Sequence, residues 1–148
     1  MSLEKWVEYG WLRREPTSPD EIRSLLGIVE RSLADAKVEA VSTDLRFIAA
    51  FNAALCIATM ALRATGHRTV TQAGHHVKTI ESLELTLKSN ERIVQKFKTL
   101  NNKRNKSVYE IAGAVSDQEL VAMVSLANEL KDGAIAWLRE IHPELLEG

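Results

Sequence analysis

Asp44–Gly66, DLRFIAAFNAALCIATMALRATG, is the stretch whose reading decides the fold. Phe47, Ile48, Phe51, Leu55, Ile57, Met60 and Leu62 take almost every side of a helix drawn through it, from Asp44 to about Ala64, and Gly66 stops it. A helix that is apolar all round has to be covered on most sides by other helices or by a second subunit. The run Phe47 to Leu62 contains Asn52 and Thr59, is flanked by Arg46 and Arg63, and is short for a bilayer, so it predicts a buried helix and no membrane span. Asn52 is expected to be a buried amide that needs partners and helps fix helix or subunit register. Cys56, in the same helix, reads as a small core hydrophobe.

Outward from this helix, the periodicity stays helical. Ser18-Pro19-Asp20-Glu21 is a strong helix start, with serine as cap, proline at the first helical position and a glutamate placed to reach back to the cap. The helix it opens buries Ile22, Leu25, Leu26, Val29 and Leu33. Beyond Gly66, a shorter helix is predicted over Gln72 to Leu87, and another from Asn90 through Ile93, Val94, Phe97 and Leu100 whose course past Asn101 is left open. Ser116-Asp117-Gln118-Glu119 is a second capping box and opens the last helix, which ends before Pro143. Strand signals are nearly absent. The sum is an all-α protein, an antiparallel bundle of about five helices.

At 148 residues with net charge −1, the chain suits a single domain over 18–148, preceded by a helical arm at 1–17 that carries Trp6, Tyr9 and Trp11. These rings are expected to pack the arm onto the core or onto a second chain. One cysteine forms no internal disulfide and no secretory pattern opens the sequence, so a cytoplasmic location and no membrane association are expected. His75 and His76 are adjacent and have no His, Asp or Cys at chelating spacing, so neither metal nor cofactor is expected.

Function is concentrated in Lys88–Tyr109, KSNERIVQKFKTLNNKRNKSVY. Lys88 to Lys106 holds seven cations and a single acid, Glu91, inside a chain whose total charge is −1. With little intrahelical pairing available, such a field favours phosphates or an acidic surface. With Phe97 turned inward beside Ile93, Val94 and Leu100, no aromatic residues are interleaved on the charged face to stack bases. Arg104 supplies a planar fork of donors matched to a phosphate, Asn105 can orient it, and Lys103 and Lys106 add attraction.

Three features together resemble the HEPN superfamily, named for a nucleotide-binding domain of higher eukaryotes and prokaryotes: the order of helices; Phe47, Asn52-Ala53-Ala54 and Ala61-Leu62 followed by Gly66 and Gly74-His75-His76-x-x-x-Ile80; and Arg104-Asn105 followed by Tyr109. The resemblance covers roughly Asp20 to Glu140. It implies a small helical bundle that dimerises and, in many members, a metal-independent endoribonuclease whose motif is an arginine, a polar residue and then a histidine. Here Tyr109 stands where those ribonucleases have histidine. A tyrosine with pKa about 10 is a poor proton acceptor at neutral pH, where a histidine near 6.5 is a good one. The expectation is therefore a homodimer that binds RNA or nucleotide phosphates through Arg104, Asn105, Lys103 and Lys106, with Tyr109 against the ligand and catalysis lost. The alternatives are a working ribonuclease of toxin–antitoxin or defence type, with Arg104, Asn105 and Tyr109 catalytic, and a regulatory partner of a nucleotidyltransferase.

Overall fold

A computed structural model describes residues 1–70, 74–109 and 112–147, with side chains omitted at 107–109. Ser2 starts the chain's first helix, its hydroxyl accepting the Lys5 amide at 3.2 Å, and α1 (Leu3–Glu8) is only six residues long. The helical arm expected at 1–17 is corrected beyond Glu8: Leu12–Arg14 is a strand, β1, paired antiparallel with β2 (His67–Thr69) in the register Leu12↔Thr69, Arg13↔Arg68, Arg14↔His67. Three-residue strands offer no alternating pattern to read. What creates them is the end of the central helix, where Gly66 adopts φ +79° and its carbonyl accepts the Glu15 amide at 2.9 Å, turning the chain back along β1.

Helix α2 (Pro19–Asp35) is capped by Ser18, whose hydroxyl accepts the Glu21 amide. The Glu21 carboxylate does not complete a capping box; it turns inward to Arg63. Helix α3 (Thr43–Ala64) is the predicted central element. Phe47, Phe51, Ile57 and Met60 are fully buried on it, between α2 on one side and α6 (Asp117–Ile141) on the other. At 22 residues it meets length and composition requirements for crossing a membrane, and 56% of its most apolar window is buried inside the protein. Asn52 is exposed, contrary to expectation, two turns from the exposed Leu45 on the same side of α3. Cys56 donates to the Leu25 carbonyl at 3.4 Å, and burial pushes its thiol pKa up to about 11, which makes it a packing group and not a nucleophile.

Helix α4 (His75–Glu81) is shorter than predicted and passes into one 3-10 turn, Ser82–Glu84; the expected start at Gln72 lies outside the described residues. Helix α5 (Glu91–Tyr109) is capped by Asn90, whose side-chain oxygen accepts the Ile93 amide, and runs unbroken through the asparagine-rich segment. Its inner face, Val94, Phe97 and Leu100, seats on α3, with the Phe97 and Phe51 rings meeting edge to face at 5.5 Å. The Asp44 carboxylate holds the entry to α6 by accepting the Gly113 and Val115 amides. The Ser116–Glu119 capping box forms as the sequence predicts, and the 3-10 turn Pro143–Leu146 folds Leu145 onto the core. The protein is thus an all-α bundle with a two-stranded fastening. A second small cluster of Trp6, Leu12 and Leu62 attaches the N-terminal arm.

Candidate functional site

Helix α5 distributes its cations over three directions. Lys98 is held by Glu81 at 2.9 Å, and Lys103 by Glu119 at 3.3 Å. Lys103 and Lys106 border a shallow groove of about 200 Å³ towards the start of α6. The Ser116 backbone N–H, against the opposing effect of burial, and then the Ser116 hydroxyl and Lys103 hold the Glu119 carboxyl below its ordinary range. Arg92, Lys96 and Lys106 are exposed and have no ion-pair partner among the described residues.

Arg104 turns the other way, as consecutive helix positions about 100° apart require. Its guanidinium carbon lies 5.5 Å from the centre of the Phe51 ring. Nη1 reaches Asn105 Oδ1 at a long 3.4 Å, while Nε is buried with no partner among the described residues. A buried, unmatched guanidinium donor is costly unless a ligand completes it. His76 is the nearby titratable group: burial, then His75, then the positive charge of Arg104 lower its pKa below the ordinary 6.5. The His75 and His76 rings meet edge to face, their centres 4.3 Å apart, at the start of α4.

His76 also lines a recess of about 310 Å³ walled by α3, the β1–β2 pair and α4. Arg13 and Arg68 stand on the sheet side of it and Arg63 forms its floor. Arg63 is 2% exposed and its donors are all committed, to Glu21 Oε1 at 2.9 Å and to the carbonyls of Glu15, Pro16 and His67 at 2.9, 2.8 and 3.3 Å. Burial works to raise the Glu21 carboxyl, but hydrogen bonds from Thr17 and Arg63 and the charges of Arg63 and Arg68 outweigh it and lower its pKa. A single carboxylate, Glu15, is shared by Arg68 at 2.9 Å, Arg63 at 3.4 Å and Arg13 at 3.7 Å. The locus keeps surplus positive charge.

The residues expected to form one site therefore divide. Arg104 and Asn105 lie together on the α3–α4 side, Lys103 and Lys106 border the α6 side, and the Tyr109 side chain lies outside the described residues. Through the fold His76, which feels the charge of Arg104, lines the recess with Arg68 and Arg13, at sequence distances that no local motif spans. Among the described residues no three of His, Cys, Asp or Glu converge as metal ligands. No protein-family model, curated protein or solved structure matches the chain significantly.

Proposed function

We propose that the protein binds the phosphate groups of RNA or of a nucleotide at the Arg104 corner and the basic recess beside it. The observation that carries this reading is the Arg104 guanidinium, held over Phe51 with a buried Nε that no described residue satisfies and with no carboxylate paired to it among the described residues. A phosphate oxygen supplies the missing acceptor and the missing negative charge together. The exposed Arg92, Lys96 and Lys106 on the same helix add the longer-range attraction that draws a polyanion in. This agrees with the resemblance to the HEPN superfamily, and we extend the proposal to a cytoplasmic homodimer in which two Arg104 corners serve one ligand.

Fluorescence polarisation with a short labelled RNA, and with ATP as competitor, tests the reading. Wild type should bind, and Arg104→Ala should weaken binding by about tenfold or more, the loss of one charge-assisted phosphate contact. Equal affinity in the two proteins overturns it. Sedimentation of the unliganded protein tests the dimer separately.

The neighbourhood of His76 favours ribonuclease activity as a second reading. Its lowered pKa keeps the imidazole neutral at pH 7, able to take the proton of a ribose 2′-hydroxyl as that oxygen attacks the adjacent phosphorus. The P–O5′ bond would break as a 2′,3′-cyclic phosphate closes, the 5′-oxygen taking its proton from water, and Arg104 would stabilise the charge on the phosphorane. Cleavage of RNA in the presence of chelator, lost in His76→Ala, is the expected result on this reading; intact RNA rejects it.

A further inference from the structure

The recess next to Arg104 has a shape and a charge that an internal RNA phosphate does not need. Its walls come from three elements, α3, the β1–β2 pair and α4, and its volume of about 310 Å³ lies at the small end of ligand pockets, roughly 300–1,000 Å³. A phosphodiester must let the chain in and out again. A terminal phosphate has one attachment, so it can enter such a recess and be surrounded.

Charge points the same way. Arg63 spends its donors on the protein and so acts on a ligand only through its field. Arg68 commits Nε to Glu15 and leaves both terminal nitrogens without a partner among the described residues, and Arg13 approaches Glu15 only at 3.7 Å. Two guanidiniums thus retain forked donors at the rim, while Glu15 and Glu21 together offset two of the three arginine charges. A phosphate monoester carries about −1.5 to −2 at pH 7 and three acceptor oxygens, against a single charge on a diester. The forked donors of Arg68 and Arg13 match the monoester's three acceptor oxygens better than the two of a diester.

We infer that this recess holds the terminal phosphate of the ligand, the monoester at the end of an RNA chain or of a nucleotide, while Arg104 holds the next phosphate along. The inference rests on the phosphate-binding reading above and sharpens it to a class of ligand. Arg68 and Arg13 are the groups that would contact the monoester, and His76 sits between it and Arg104.

The test uses the full chain and three versions of one short RNA labelled at an internal base: a 5′-phosphate, a 3′-phosphate and hydroxyls at both ends. Polarisation should show one phosphorylated form binding about tenfold tighter than the hydroxyl form, the step that an added charge-assisted contact supplies. Which end is preferred identifies the ligand's orientation. Arg68→Ala should remove the preference, weakening the phosphorylated form about tenfold more than the hydroxyl form, whose ends bring no monoester to the recess. Arg13→Ala, at a side chain 60% exposed and therefore safe for folding, should reduce the preference in the same direction. Equal binding of all three RNAs to wild type, or a preference that survives both substitutions, overturns the inference. Failure of every RNA to bind overturns the phosphate-binding reading itself, so the two failures are distinct.

Discussion

Arg63 and Arg104 are both shielded by residues of the same central helix, and they differ in what was provided for them. Arg63 sits in the last turn of α3 with two carboxylates and three carbonyls gathered around it, and it joins that turn to the β1–α2 connection and to β2. Arg104 lies across the face of Phe51 with one long contact to its own neighbour and a buried nitrogen left over. The first arrangement is finished within the protein. The second is complete only with something added, and that contrast separates a structural arginine from a binding one.

Removing each arginine should therefore break different properties. Arg63→Met leaves the half-buried Glu21 and several carbonyls without their donor, and urea unfolding should show a loss of about 1–3 kcal/mol, the cost of leaving buried polar groups unsatisfied. The same substitution should flatten the acid limb of the stability curve. Glu21 has a lowered pKa in the folded protein, so its contribution is present above the ordinary 4.5 and is lost as pH falls through the folded value; without Arg63 much of that loss disappears. Arg104→Ala should cost less than about 1 kcal/mol, because no ion pair among the described residues is lost, while RNA affinity falls by the larger factor given above.

A smaller effect belongs to His76. Its folded pKa lies below the ordinary 6.5, so folding favours the neutral ring; stability should fall as pH drops through 6.5 towards the folded value and level off below it. His76→Gln should remove that part of the decline in thermal melts taken across this range. In Arg104→Ala, proton NMR should show the His76 titration moved upward, since one of its depressing charges is gone. The smallest change is expected from Lys103→Ala: its pair with Glu119 is partly exposed, at 29% and 32%, and loss of stability should stay within about 1 kcal/mol.

Much of the architecture was legible because it is local. Ser116 with Glu119, and Ser18 before Pro19, announce their helices within four residues, and the apolar circumference of Asp44–Ala64 announces that other helices must surround it. The sheet was not legible, since Leu12-Arg13-Arg14 becomes a strand only by meeting His67–Thr69 more than fifty positions away. Glu21 read as a cap partner for the same reason: its arginine stands 42 residues further on. Arg104 was visible through its charge and its neighbours, yet the face it shares was not. Helix rotation parts it from Lys103 and Lys106, while the packing of α4 supplies His76. One signal could have exposed Arg63, namely a charged residue in the last turn of an apolar helix, which demands buried partners, with Glu15 and Glu21 among the few acids near another helix start.

The most direct test of an Arg104 that is completed by phosphate is a salt titration of RNA affinity in wild type and Arg104→Ala. The account predicts a straight log–log decline in wild type and a slope shallower by about 0.7 in the variant, one single-strand phosphate contact fewer, with a lower affinity at every salt concentration. Superimposable lines for the two proteins would contradict it.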